Sequence, residues 1–224
     1  MTILSLGFLF LFIAFNSAAN ISAQALENNG FNGLGFYTMA ILYLVYSIGS
    51  FFSSYFVNKI GDKASLFLSG LCYAFWIFGF IPAAFYPDNK DSSLFIFNRS
   101  FIIFLSLFSA AVNGLGSSVL WVAQGKYVGE CASEKNKGFF FGYFWAFFMG
   151  SQIFGNLFAA LILGPLSQST YYIVMTIVAI FGSSIFLFLR KPKSTNEPAD
   201  ADFLINEEEK SRSEQEDSFG ENVK

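Results

Sequence analysis

Residues 3–25, ILSLGFLFLFIAFNSAANISAQA, decide the fold, because they form a long run of apolar and small residues without a single charge. A helix of this length extends about 34 Å, which is enough to cross a hydrocarbon core of about 30 Å. Five further segments have a similar length and composition. The six predicted spans are Ile3–Ala25, Gly35–Val57, Ser65–Phe85, Ser100–Gln124, Phe139–Leu163 and Tyr171–Leu189. The sequence therefore predicts an all-α integral membrane protein with six transmembrane helices.

The composition of the chain supports this prediction and divides the chain in two. Hydrophobic residues make up 54% of the 224 residues and charged residues only 13%, whereas a soluble domain carries about 25% charged residues. Residues 193–224 hold ten acidic and four basic side chains and few apolar ones. Such a segment cannot bury enough apolar surface to fold. We therefore predict a six-helix transmembrane domain over residues 1–192 and a disordered, acidic cytosolic tail over residues 193–224.

The distribution of Lys and Arg predicts how the chain is oriented. The loops on one side of the membrane would hold eight Lys and Arg residues, and the loops on the other side only Lys90 and Arg99. Basic residues accumulate in cytosolic loops. We therefore expect a multi-pass protein with both termini in the cytosol, surrounded by the lipid bilayer and without a nucleic-acid ligand.

Side chains that commonly carry catalysis are scarce. The chain has no His, which removes the commonest metal ligand and general base. Its two cysteines, Cys72 within a span and Cys131 in a loop, form neither a disulfide framework nor a zinc site. Glu27 and Glu130 lie outside the span centres, so no span holds an acidic proton carrier. The sequence predicts no enzyme, no cofactor and no metal site.

Polar residues recur at helical spacing within two of the predicted spans. They are Asn16, Asn20, Gln24 and, at the outer helix end, Glu27 in the first helix, and Asn113, Ser117, Trp121 and Gln124 in the fourth. Residues spaced by four positions share one face of a helix, and an amide placed in lipid must find a partner. Two interpretations stay open for these stripes. In the first, which we favour for helices one and four, the stripes line a water-accessible cavity. In the second, they join helices through hydrogen bonds.

The fifth predicted helix carries small residues at every fourth position. These residues are Gly138, Gly142, Ala146 and Gly150. Small residues at this spacing allow helices to approach closely in a membrane, so they predict a packing seam. Trp145, Gln152 and Asn156 share another face of this helix, and there we favour interhelical hydrogen bonds.

The matching stripes of helices one and four also suggest an internal repeat. Helices one to three would correspond to helices four to six, in a three-plus-three arrangement of the kind found in transporter halves. Because each repeat has an odd number of spans, the two copies would insert with opposite topology.

Three stretches of the chain carry a family resemblance. They are residues 120–127 (LWVAQGKY), residues 144–157 (FWA through SQ to GNL), and Phe15-Asn16 through Asn20-Ile21 to Gln24. Together they resemble the Unc-ninety-three family, a branch of the major facilitator superfamily. The resemblance covers about residues 3–192 and implies one half of a major facilitator fold, the amino-terminal half of a twelve-helix body.

The loop between helices two and three departs from the superfamily's signature, which is Gly-x-x-x-Asp-Arg-x-Gly-Arg. The aligned residues are Ser54, Asn58, Lys59, Gly61 and Asp62. Lys59 and Gly61 match in type, whereas Asn58 replaces the acidic residue that helps to lock the two halves in the superfamily. The resemblance therefore does not imply a strong gate here. On the residues alone, such a Gly-Asp-Lys loop is more often a tight turn with basic anchors.

The resemblance implies transporter architecture with an unknown substrate, although members of the family are also described as ion-channel regulators. Three hypotheses follow. In the first hypothesis, the chain is part of a transporter. In the second, it is a non-transporting regulatory subunit that binds a channel through the seam Gly138–Gly150. In the third, it is a truncated inactive half. Because a major facilitator cavity lies between two halves, we expect a second copy, a missing carboxy-terminal half or a channel subunit as partner.

Overall fold

The computed structural model describes residues 1–133, 135–163 and 167–192, and these residues form helices joined by short turns. The α-helices are α1 (Thr2–Asn28), α2 (Leu34–Ile60), α3 (Asp62–Phe78), α4 (Ile81–Phe85), α5 (Arg99–Cys131), α6 (Lys137–Leu163) and α7 (Gln168–Ile185), with short 3-10 turns at Tyr86–Asn89, Phe95–Phe97 and Phe186–Phe188. Within the described residues, six spans are long and apolar enough to cross a membrane, and the third, Asp62–Asn89, is formed by α3, α4 and the turn Tyr86–Asn89. The six predicted spans are confirmed. The predicted tail, residues 193–224, lies outside the described residues.

The third span is interrupted, whereas the sequence predicted one helix over Ser65–Phe85. Helix α3 ends at Phe78, and α4 begins at Ile81. The cause is Pro82, which has no N–H group and whose ring would clash with the carbonyl oxygen of Phe78 in a continuous helix. At the break, Gly79 lies so close to Ser109 of α5 that a Cβ atom there would overlap the serine side chain. The bend is therefore packed tightly against α5.

Local side chains and one glycine define where the helices begin. The carboxamide oxygen of Asn98 accepts hydrogen bonds from the backbone N–H groups of Ser100 (2.9 Å) and Phe101 (3.3 Å), which caps α5. Gly61 joins α2 directly to α3 with a φ of 82°, a backbone conformation that glycine adopts without strain. The two helices therefore reverse direction within one residue.

The helices pack in a pattern that is symmetric between the two halves of the bundle. Each helix contacts the next in the order α6, α1, α7, α3, α5, α2. In a repeat, α1 corresponds to α5, α2 to α6, and α3 to α7. Under this correspondence, the contact between α1 and α6 matches the contact between α5 and α2. The contact between α1 and α7 matches the contact between α5 and α3. The closely packed pairs are thus preserved, as the three-plus-three arrangement predicts.

Two glycines bring the backbones of neighbouring helices close to α1. A Cβ atom at Gly155 of α6 would lie 2.9 Å from the Ile13 carbonyl oxygen of α1. A Cβ atom at Gly182 of α7 would lie 2.5 Å from the Leu11 backbone nitrogen of α1. Helix α1 therefore sits in close contact with α6 on one side and α7 on the other, within the compact unit Met1–Pro192.

Candidate functional site: an amide face on α1 and α6

Two hydrogen bonds between polar side chains join α1 to α6 within the membrane. Asn16, which is buried, donates from Nδ2 to the Ser151 hydroxyl oxygen at 3.2 Å. One turn further along α1, Asn20 donates from Nδ2 to Asn156 Oδ1 at 2.7 Å. The close approach at Gly155 makes both bonds possible, because it removes the side chain that would otherwise separate the two backbones.

The second of these bonds lies on an exposed polar surface. Asn20, Gln24 and Asn156 are exposed, and Gln152 is half-buried beside them. We call these four residues the amide face. Asn20 and Asn156 lie about 8–9 Å from the middle of their helices, at about 1.5 Å of rise per residue. They are therefore well inside the hydrocarbon thickness of about 30 Å.

The amide face keeps hydrogen-bonding capacity after its internal bond is made. The Asn20–Asn156 bond uses one N–H of Asn20 and the carboxamide oxygen of Asn156. Asn20 Oδ1 and Asn156 Nδ2 make no hydrogen bond with the residues that the structure describes, and an amide can form up to four. These groups require water, a solute or a polar partner, since lipid offers none at this depth.

The polar stripe of α5 is located differently. Asn113, Ser117 and Gln124 are all buried within the bundle. Both amide atoms of Asn113, the Ser117 hydroxyl and Gln124 Nε2 lack a hydrogen-bond partner in the described part of the chain. The structure therefore does not bring the two predicted stripes together at one surface: α1 presents Asn20 and Gln24, whereas α5 keeps its amides inside.

Aromatic rings fill the space between α1, α5 and α6. The Trp121 ring centroid lies 5.7 Å from Phe8 and 5.6 Å from Phe12 on α1. On α6, the same ring lies 5.1 Å from Phe148 and 6.1 Å from Trp145. Such edge and stacked contacts stabilise packing beyond the buried area alone. Trp121, predicted to line a cavity, is thus part of a packed aromatic cluster next to the amide face.

The signature-like loop forms an ion pair that the sequence did not predict. Asp62, at the start of α3, accepts from Lys126 of α5 at 3.0 Å, and Glu130 lies 3.8 Å from the same ammonium group. Asn58 and Lys59 are exposed at the end of α2. The sequence places Lys126 on the basic side of the membrane, but nothing in the local sequence indicates that α5 ends beside this loop.

The small residues of α6 lie on its outer side. A Cβ atom at Gly138 or Gly142 would have no neighbour within 4 Å among the described residues, and Ala146 is exposed. At Gly150, only Phe154 of the same helix and Leu9 of α1 come within 4.0 Å. The contact of α6 with α1 uses Ser151 and Gly155 instead, so the predicted seam does not pack inside this bundle.

Residues that could hold a metal ion are not clustered in the described part of the chain. The chemistry of the amide face is therefore that of neutral donors and acceptors. Such a surface can bind or hydrate polar groups, but it has no fixed charge with which to select the sign of an ion.

Comparison with known proteins identifies the family. Residues 31–215 match the family described as "Ion channel regulatory protein UNC-93". The chain belongs to the UNC-93 family. This membership confirms the resemblance found in the sequence and accords with the six-span architecture.

Several proteins of the UNC-93 family are similar to this chain. "UNC93-like protein MFSD11" of Xenopus tropicalis is 30% identical over 207 residues, which cover 88% of this chain and 42% of the relative. "UNC93-like protein 3" of Arabidopsis thaliana is 28% identical over 205 residues, 84% of this chain and 39% of the relative. "Protein unc-93 homolog A" of Bos taurus is 27% identical over 208 residues, 88% of this chain and 41% of the relative.

The chain thus spans about two fifths of the length of these curated relatives. That share is consistent with the amino-terminal half of a twelve-helix body. No solved structure matches the chain.

Proposed function

We propose that this chain supplies one six-helix half of a transporter-like membrane unit, in which the amide face lines a water-accessible path against a second six-helix unit. The observation that carries the proposal is the exposed pair Asn20–Asn156 at membrane depth. The membership of a family that resembles the major facilitator superfamily supports it.

The free energy of burial explains why the amide face requires something other than lipid. Transfer of an unpaired amide into an apolar medium costs roughly 2–7 kcal/mol, depending on the reference state. Asn20 and Asn156 offset part of this cost for each other, whereas exposed Gln24 has no hydrogen-bond partner among the described residues. A water-filled cleft between two units would satisfy all of these groups without further protein contacts.

The nature of the face restricts what could use such a path. Its amides both donate and accept hydrogen bonds, so they suit a polar solute whose groups alternate between the two roles. The half-exposed ring of Trp145, about two turns before Gln152 on α6, offers an apolar surface. The four residues of the amide face carry no carboxylate; the acidic side chain that continues this stripe is Glu27, which is exposed three residues after Gln24 at the end of α1.

Cross-linking tests whether a second unit lies opposite the amide face. Asn20→Cys should form a thiol-specific cross-link with a second copy or with a co-expressed carboxy-terminal half. Ile177→Cys is the matched control, because Ile177 is equally exposed at the middle of α7 but is apolar. Single-molecule photobleaching in a bilayer should then count two six-helix units. A dilution-independent single unit, with no cross-link at Asn20, would overturn the proposal.

Regulation of an ion channel is a second candidate function, and the outer side of α6 favours it. The open space at Gly138 and Gly142 would admit another transmembrane helix at close range. Gly142→Leu should block such a contact and leave the Asn20 cross-link intact. If Gly142→Leu instead abolishes a channel interaction while Asn20→Leu has no effect on any activity, regulation is the better account.

A further inference from the structure

A positively charged cavity lies beside the α2–α3 turn, where α2 and α5 end and α3 begins. Its volume is about 850 Å³. The basic residues that line it are Lys59, Lys63, Lys126, Arg190 and Lys191, and the acidic ones are Asp62 and Glu130. The cavity thus gathers five cations against two carboxylates, on the side that the Lys and Arg bias predicts to be cytosolic.

The two carboxylates are already engaged within the cavity. Asp62 and Glu130 both lie against Lys126, at 3.0 and 3.8 Å. Among the residues that the structure describes, the other four cations have no ion-pair partner, and Lys59 lies 5.7 Å from the centroid of the Tyr55 ring. Like charges gathered in one cavity repel one another, so a bound anion would lower the electrostatic free energy.

The backbone near the last of these cations is held in place. The Tyr127 hydroxyl of α5 donates to the Arg190 carbonyl oxygen at 2.8 Å. Leu189 is buried immediately before it. Arg190 and Lys191 therefore lie on a segment that is fixed against α5, which favours a defined site over a diffuse surface charge.

An apolar groove continues from this cavity toward the middle of the membrane. It occupies about 550 Å³ between α2, α3 and α5, and Ile60 and Leu68 line both spaces. Along α2 the groove runs from Gly49 to Ile60, which is about 16 Å at about 1.5 Å per residue. That length equals one leaflet of a hydrocarbon core of about 30 Å.

The polar side chains in the groove do not change its apolar character. Ser65 donates to the Gly61 carbonyl oxygen at 2.7 Å, and Ser118 donates to the Leu115 carbonyl oxygen at 2.7 Å. Both hydroxyl groups are thus satisfied by backbone carbonyl oxygens, and Ser69 is the third serine of the lining. The groove presents mainly Phe52, Phe56, Leu68, Leu115 and Val119 to whatever fills it.

We propose that this cavity and groove together bind one anionic glycerophospholipid, with the phosphate headgroup among the cations and an acyl chain in the groove. Neither part alone specifies a lipid, but a basic cavity joined to an apolar groove of one-leaflet depth matches a molecule with a charged head and an apolar chain. Basic pockets between transmembrane helices on the cytosolic side are suited to anionic headgroups. The site is separate from the amide face and does not depend on the proposed transport role.

A lipid titration of the purified full chain tests this proposal. The melting temperature is followed by tryptophan fluorescence in phosphatidylcholine micelles that contain increasing fractions of phosphatidylserine. We expect phosphatidylserine to raise the melting temperature in a saturable manner. Lys63→Gln combined with Arg190→Gln should raise the half-saturating fraction about twenty-five-fold, because each cation contributes about five-fold to headgroup binding.

Matched variants separate the headgroup from the chain. Lys90→Gln removes a cation from the opposite side of the membrane and should leave the titration unchanged. Val119→Trp should fill the groove and weaken binding while all cations remain. If the Lys63 and Arg190 double variant fails to fold, Lys59→Gln with Lys191→Gln provides a second charge variant, because both of these side chains are exposed.

Three results would overturn the proposal. A melting temperature that is the same in pure phosphatidylcholine and at every phosphatidylserine fraction would show that the charge plays no part. Equal stabilisation by inorganic phosphate, with Val119→Trp unaffected, would indicate a site for a soluble anion. A charge variant that lowers the melting temperature equally with and without phosphatidylserine would mean that the cations serve the fold or another acidic occupant, such as residues 193–224.

Discussion

The relative strength of the Asn16–Ser151 and Asn20–Asn156 hydrogen bonds should reveal whether water reaches the amide face. Asn20–Asn156 is the shorter bond, at 2.7 Å, and Asn16–Ser151 is the longer, at 3.2 Å. Distance alone would make the shorter bond the stronger one. Exposure predicts the reverse, because water in a cleft would compete for Asn20 and Asn156 but not for the buried pair.

Double-mutant cycles provide the magnitudes. Hydrogen bonds between transmembrane helices contribute about 0.6 kcal/mol on average and about 1.7 kcal/mol at most. We expect a coupling of about 1–1.5 kcal/mol between Asn16→Ala and Ser151→Ala, and about 0.5 kcal/mol or less between Asn20→Ala and Asn156→Ala, on the same scale. Each variant's free energy of unfolding is measured by reversible denaturant titration in bicelles.

The order of the two couplings decides the question. If the Asn20–Asn156 coupling exceeds the Asn16–Ser151 coupling and approaches the upper value, water does not compete at the amide face, and the cleft is refuted. If both couplings vanish, the two helices are not joined by these side chains at all, and the description of the α1–α6 contact fails.

Three further predictions concern packing, charge and topology. Gly182→Leu should lower the free energy of unfolding by at least about 2 kcal/mol, because the new side chain meets the α1 backbone, whereas Gly142→Leu should be tolerated in the six-helix unit; thermal denaturation compares them. Lys126→Met should lower it by about 1 kcal/mol, and high salt should reduce this difference, because the pair with Asp62 is partly exposed. Asn89→Cys should be labelled from the side of the membrane opposite to residues 193–224; labelling of both from one side would contradict the six-span topology.

Hydropathy and helix length predicted the number of spans, because each span must satisfy its backbone hydrogen bonds within itself. The break at Pro82 was equally visible in the sequence, but the prediction treated the apolar run Ser65–Phe85 as continuous. Proline interrupts a helix because its ring clashes with the carbonyl oxygen four residues earlier. At Pro82 this local effect is a better guide to the helix boundary than the hydropathy of the whole run.

Helical periodicity predicted which residues share a face but not which neighbour that face meets. The stripe on α5 has the same spacing as the stripe on α1, yet Asn113 is fully buried and Asn20 is exposed. Similarly, the small residues around Gly142 have the more regular spacing, but Gly155 makes the close contact with α1. These outcomes depend on the order in which the helices pack, which is a property of the whole bundle.

Local sequence patterns do not predict ion pairs between residues that are far apart in the chain. Asp62 and Lys126 are separated by the whole of α3 and most of α5, and their contact follows from the positions of two helix ends. The basic cavity beside them combines α2, α3, α5 and the segment after α7 for the same reason. Charge counting placed these cations on one side of the membrane but could not gather them into one site.

Accessibility of the amide face to water is the most direct test of the account. Asn20→Cys, Gln24→Cys and Asn156→Cys are treated with a membrane-impermeant thiol reagent in native-like bilayers on a background without Cys72 and Cys131. Ile177→Cys serves as the exposed apolar control and Phe8→Cys as the buried one. We predict that the three amide-face cysteines react rapidly and both controls slowly. Protection of Asn20→Cys and Asn156→Cys to the level of Ile177→Cys would show that this face meets lipid or a dry protein contact, and would contradict a water-accessible path.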